Sequence, residues 1–174
     1  KVDSLSFKEL KKEGYAAVFG AVGAHKGNMM GVEGEDQGYD GYVDGVDLLR
    51  DLSLGKTIEP RKKVVIVGGG NVALDCARSC ARLGFKDVNI LYRRSRVEMP
   101  ASEEEIEGAL EEGITITYLA VPVKILEKDG KVTGVECVKM KLGKPDESGR
   151  RRPIPVKGSE YTLKTDVVVA AIGQ

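Results

Sequence analysis

The stretch Val64–Gly84, VVIVGGGNVALDCARSCARLG, limits what this chain can fold into more than any other segment. Lys63 to Val67 is an almost unbroken apolar run, the pattern of a parallel strand buried on both faces. Three glycines follow at once. From Asn71 to Leu83, Val72, Cys76, Cys80 and Leu83 recur at helical spacing, and Gly84 stops the helix. Strand, glycine turn and helix in that order open a dinucleotide-binding βαβ unit. In the pattern Gly68-x-Gly70-x-x-Ala73 the first glycine permits a tight turn. Gly70 lets the backbone approach a diphosphate, whose charge the helix N-terminus favours. Small Ala73 lets the helix pack close to the strand. The glycine spacing by itself is a weak signal, and its place between a strand and a helix gives it weight.

The residues that follow continue the unit. Val88 to Tyr92 reads as a second strand, SEEEIEGALEEG as a helix with Ser102 as N-cap, and Ile114 to Leu119 as a third strand. Then the pattern changes. VKILEKDGKVTGVECVKMKLG predicts two strands around an Asp129-Gly130 hairpin turn. PDESGRRRP reads as a polar loop, and PIPVKGSEYTLKTD as a strand pair or ragged strand. DVVVAAIGQ reads as a last apolar strand ending at Gly173. The expected fold is α/β: a Rossmann-like βαβαβ parallel sheet with an antiparallel β-meander.

The first 61 residues are rich in glycine and aspartate. SFKELKKEG predicts a short helix capped by Ser6 or Ser4, and YAAVFGAVG a strand from Tyr15 to Val22. A glycine-punctuated loop follows, then a short helix in VDLLRDLSLG closed by Gly55. Pro60 marks a boundary, so the expected division is a flank at 1–60 and a nucleotide-binding domain at 61–174. The two apolar strands AAVFGAVG and DVVVAAIG echo each other, as expected if each closes one dinucleotide-binding unit. The opening at Lys1, inside an amphipathic segment, is expected of a piece of something longer.

The end of the second strand bears on the choice of cofactor. NAD or FAD sites place an acid there for the ribose hydroxyls. This chain has LYRRSRVEMP, with Arg93 and Arg94 at that place, Arg96 next, and no acid until Glu98. A guanidinium fork matches a phosphate where a carboxylate repels it, so NADPH with its 2′-phosphate is the expected partner. The candidate cofactor residues are Gly68, Gly69, Gly70, Asn71 and Val72 for the diphosphate and Arg93, Arg94 and Arg96 for the 2′-phosphate. Ala171, Ile172 and Gly173 are the candidates for the nicotinamide side. No catalytic residue is expected, because hydride transfer between nicotinamide and flavin needs no protein acid or base.

Composition excludes some classes. The 27 basic residues match the 27 acidic ones, so no global charge points to nucleic acid or a membrane surface, and no apolar run approaches a membrane span. Cys76, Cys80 and Cys137 read as small buried residues, and an odd count without a secretion signal fits a reducing cytoplasm. A metal site would need more ligands, with one histidine available. Asp75 reads either as orienting the glycine turn or as solvated. His25 reads as a loop histidine, and GRRRP (149–153) either as a solvated hairpin tip or as a basic patch for an acidic partner.

VVIVGGGNVALDCAR, LYRRSRVEMPAS with its following EEI and EEGI, GKVTGVECVKMKLGKPDESGRRRP and DVVVAAIGQ together resemble the glutamate synthase small (beta) subunit family. Dihydropyrimidine dehydrogenase is a more distant likeness. The resemblance covers almost the whole chain. It implies a flavoprotein with two dinucleotide-binding domains, in which NADPH reduces FAD and electrons pass to iron–sulfur clusters and a partner, such as a larger catalytic subunit. It also implies that the strand ending at Gly23 belongs to the FAD side. The first FAD fingerprint, the C-terminal FAD segment and the cysteine-rich cluster region are not in this sequence, so the segment alone is expected to be inactive. Competing readings are a non-catalytic NADPH sensor and an ADP-ribose site for NAD or FAD. A methyltransferase would also need an acid after the second strand.

Overall fold

A computed structural model describes residues 7–21, 23 and 25–173. Five parallel strands form the central sheet: β1 (Tyr42–Asp44), β2 (Lys63–Val67), β3 (Asp87–Tyr92), β4 (Thr115–Tyr118) and β9 (Val167–Ala170), in the order β1-β9-β2-β3-β4. Helices α2 (Gly45–Ser53), α3 (Asn71–Leu83) and α4 (Glu103–Glu111) cover one face. The other face is covered by antiparallel strands β5 (Ala120–Lys128), β6 (Lys131–Pro145) and β8 (Tyr161–Lys164), with β7 (Arg151–Pro155) extending that layer beside β6. In that layer β6 is the hub: β5, β7 and β8 all pair with it. The expected meander therefore holds, except that β8 pairs with β6 and not with β7.

Alternation within the central strands builds two cores. Val64 and Ile66 face the helices, with Ile90, Val167 and Val169 beside them. Val65 and Val67 face the antiparallel layer, with Leu91, Val168, Val135 and Cys137. A strand buried on both faces must be apolar at every position, and this explains the continuous run read from the sequence. The three cysteines sit in these cores, where burial pushes each thiol up to about 12.

The expected boundaries of α3 and the helix cap at Ser102 match the structure, whose Ser102 side chain accepts from the Glu105 N–H at 3.3 Å. Asp129 and Gly130 both take positive φ, 54° and 75°, the geometry of a tight hairpin turn between β5 and β6. Helix α1 (Phe7–Lys12) also forms, while its expected caps Ser4 and Ser6 lie outside the described residues.

Two N-terminal expectations need correction. The stretch from Tyr15 to Ala21 forms no strand, and Phe19 in it is 91% exposed; Val22 lies outside the described residues. A strand exists only through its ladder partner, and among the described residues this segment has none. Conversely, Tyr42–Asp44, read as loop, is a strand because it finds β9, with Val43 paired to Val169. Asp44 then caps α2, accepting from Val46 N at 2.7 Å. Strand β1 and helix α2, which precede Pro60, thus share the sheet and core of residues 61–173.

Candidate nucleotide-binding site

The chain leaves β2 and returns as β3 on one side, while β9 arrives on the other. The carboxyl ends of β2 and β9 therefore flank the point where strand order reverses, the usual place for a ligand in an open α/β sheet. A cavity of about 380 Å³ opens there. Its wall includes Gly68, Gly69, Gly70, Asn71 and Val72, Arg93 and Arg94, and Ala171, Ile172 and Gly173. Ten of the eleven sequence candidates thus converge on one cavity.

The three glycines differ in what requires them. A Cβ on Gly68 would stand 2.1 Å from the Ala171 carbonyl oxygen, so the β2 and β9 ends close only over a glycine. A Cβ on Gly69 would stand 2.3 Å from the Tyr92 ring, which is itself held by its hydroxyl donating to the Glu98 carbonyl at 2.6 Å. A Cβ on Gly70 would meet nothing nearer than 3.9 Å, and its φ of −97° suits any residue. Gly70 is the N-cap of α3, with no side-chain cap and no acid in the first turn. The first N–H groups of the helix have no intrahelical acceptor and carry its positive end.

The arginines also differ. Arg93 is exposed on the cavity wall and makes no ion pair among the described residues. Arg94 lines the cavity but is only 5% exposed. Its Nη2 donates to Asp146 Oδ2 at 2.6 Å and its Nε to the Arg151 carbonyl at 2.8 Å. Arg96 is not part of the wall. The 3₁₀ turn Arg96–Glu98 aims it at α4, where it pairs with Glu103 and Glu107. That turn is closed by Ser95 and Glu98, and Glu98 also accepts from Arg151 Nε at 2.5 Å. The bonds from Ser95 and Arg151 hold the Glu98 carboxyl below its ordinary range.

Sequence reasoning missed part of the wall. Met30 and Val32 reach it from the glycine-rich loop, Ala120 and Pro122 from β5, and Arg150 from the β6–β7 turn. The loop is fixed by Glu35, which is 4% exposed. Its carboxylate accepts from Met30 N at 2.6 Å, Gly31 N at 2.7 Å and the Tyr42 hydroxyl at 2.5 Å. Burial pushes Glu35 up, but the Tyr42 and backbone donors outweigh it and hold the carboxyl below its ordinary range. Two of these donors come from the loop itself and the third from Tyr42 in β1, so the anchor depends on the loop folding back onto that strand. Asp75, by contrast, is exposed, as is His25.

The reversal of strand order, the glycine cradle and the open helix end define the class of dinucleotide-binding α/β domains. Across residues 2–174 the chain matches the family described as pyridine nucleotide-disulphide oxidoreductase, and it belongs to that family. It is 51% identical over 172 residues to the NADPH-Fe(3+) oxidoreductase subunit beta of Geobacter sulfurreducens, which covers 98% of this chain and 25% of the relative. It is 52% identical to the NADP(+)-dependent formate dehydrogenase subunit beta of Moorella thermoacetica, covering 92% of this chain and 23% of that one. The Escherichia coli glutamate synthase [NADPH] small chain is 37% identical, over 91% of this chain and 36% of the relative. The chain therefore spans about a quarter of the length of the first two relatives.

Mycobacterium tuberculosis FprA in complex with NADPH shares the fold with a TM-score of 0.70 and 20% identity, covering 88% of this chain and 49% of that one. T. acidophilum thioredoxin reductase does so at 0.61 and 23%, covering 85% and 41%. Among the described residues no helix is long and apolar enough to cross a membrane.

Proposed function

We propose that this chain is the NADP(H)-binding domain of a flavin-dependent oxidoreductase. The observation that carries the reading is Gly70. The fold requires Gly68 and Gly69, whereas Gly70 faces open space at the positive end of α3, where only a ligand would feel a side chain. The cavity wall holds three arginines and no carboxylate, which suits a nucleotide with an added 2′-phosphate and disfavours one with a free ribose hydroxyl. The names of the two most identical relatives cited above contain NADPH and NADP(+).

The chemistry is that of the cofactors: a reduced nicotinamide supplies hydride and a flavin accepts it. The chain's own residues bind and orient. Backbone N–H groups of Gly70, Asn71 and Val72 would hold the diphosphate, and Arg93 the 2′-phosphate. Ala171 to Gly173 would border the nicotinamide, with Met30 and Val32 excluding water across the cavity. The exposed Tyr15, Val18 and Phe19 would face the FAD side, in the part of the protein that also carries electrons to iron–sulfur clusters or a partner. The odd set of buried thiols fits a reducing cytoplasm.

Calorimetric titration of the intact protein with NADPH and NADH tests the reading. NADPH is expected to bind at least tenfold more tightly, a difference of about 1.4 kcal/mol. Equal affinity for the two, or tighter NADH binding, would overturn it.

A further inference from the structure

The sequence pattern places two adjacent arginines on the 2′-phosphate, but the structure occupies one of them elsewhere. Arg94 is buried against Asp146, and both of its hydrogen bonds hold the turn between β6 and β7: Nη2 to the Asp146 carboxylate, Nε to the Arg151 carbonyl. Asp146 in turn organises that turn. Its other carboxylate oxygen accepts from Ser148 N at 3.0 Å and Ser148 Oγ at 2.6 Å. Its backbone N–H donates to the Arg150 carbonyl at 2.8 Å, and its carbonyl accepts from Gly149 at 2.9 Å. A second tie runs from Arg151 Nε to buried Glu98. A polar turn that would otherwise be loose is thus laced to the segment after β3.

The result is the position of Arg150. It lines the same cavity as Arg93, from the β6–β7 turn, a segment that chain order leaves remote from β3. Its Nε donates to Ser148 Oγ at 3.0 Å, and among the described residues no carboxylate pairs with its guanidinium. Its guanidinium is thus a cation on the cavity wall that no described carboxylate neutralises, and a phosphate would complement it.

We infer that Arg150, and not Arg94, supplies the second guanidinium to the 2′-phosphate of the bound nucleotide, with Arg94 and Asp146 as the positioning pair that aims it. The inference rests on the NADP(H) reading above and names a specificity residue within it. Arg93 and Arg150 form the phosphate clamp, and Arg94 acts only through the turn.

The test uses 2′,5′-ADP and 5′-ADP as probes, which differ only in the 2′-phosphate, with dissociation constants measured on the intact protein. The unaltered protein is expected to prefer 2′,5′-ADP by at least tenfold. Arg150→Gln should weaken 2′,5′-ADP 10- to 100-fold and leave 5′-ADP within twofold, and Arg150→Lys should recover part of the loss. Asp146→Asn should weaken 2′,5′-ADP as well, but add little once Arg150 is already Gln, because it acts through that residue. Arg150 is partly exposed, so its variants should keep the circular dichroism and melting temperature of the parent. A protein that prefers 2′,5′-ADP and keeps that preference in Arg150→Gln overturns the inference alone. A protein with no preference for 2′,5′-ADP overturns the NADP(H) reading and the inference with it. Equal effects of Asp146→Asn with and without Arg150 would remove the positioning role.

Discussion

The two ends of the cavity are built on different plans. At the glycine end, five consecutive residues, Gly68 to Val72, present backbone donors, and the strand–turn–helix geometry alone aims them. At the arginine end, Arg93 and Arg150 present side chains from segments held together by the pair Arg94–Asp146, which are 52 positions apart. A backbone site comes with the fold of a short motif. A side-chain site depends on which charges are left unpaired after the chain has packed, and that is a property of the whole molecule.

Substitutions separate the two plans. The largest effect is expected at Gly68→Ala. Its Cβ would meet the Ala171 carbonyl at 2.1 Å, and backbone cannot yield as a flexible side chain does. Loss of about 3 kcal/mol or more is expected in denaturant unfolding, along with nucleotide binding. Ordinary stability in this variant would mean that the β2 and β9 ends are less tightly joined than described.

Arg94→Met comes next. It removes the buried guanidinium that ties Asp146, and with it the β6–β7 turn, to the segment after β3. A loss of about 2 kcal/mol in unfolding free energy is expected from the missing charged hydrogen bonds. Discrimination between 2′,5′-ADP and 5′-ADP should fall with it. A variant that binds poorly but unfolds like the parent would return Arg94 to the role of a direct phosphate ligand.

The smallest effect on stability, and the sharpest on the comparison, is expected for Gly70→Ser. Serine caps a helix as well as or slightly better than glycine, so unfolding should change by less than about 0.5 kcal/mol. Affinity for NADPH should nevertheless drop by about tenfold or more, read by calorimetry, because the new side chain occupies space that only the ligand uses. Unchanged affinity would show that the diphosphate does not approach this turn.

These contrasts explain what was legible before the structure. Lys63–Val67, Asn71–Leu83 and the Asp129-Gly130 turn were readable because each is decided within a few residues, by periodicity or by backbone sterics. The likeness of AAVFGAVG to DVVVAAIG did not by itself make both strands, because apolar composition does not supply a partner. One stretch became β9, in the middle of the sheet, and the described residues of the other are exposed. Tyr42–Asp44 was hidden for the opposite reason: it is three residues long, and only the edge of β9 makes it a strand.

The arginines show the same division. That LYRRSRVEMP puts basic groups after the second strand was written in the sequence. Which of them remained free was not, since Arg96 is taken by α4 and Arg94 by Asp146. The sequence by itself determined a parallel nucleotide-binding sheet, its glycine turn and the sign of charge beside it, because these follow from local pattern. Only the tertiary structure decided the ends of the site: the Glu35-anchored loop across it, and which arginines on its wall are left without a carboxylate partner. Long-range ion pairing is settled by which segments meet, and no spacing along the chain records that.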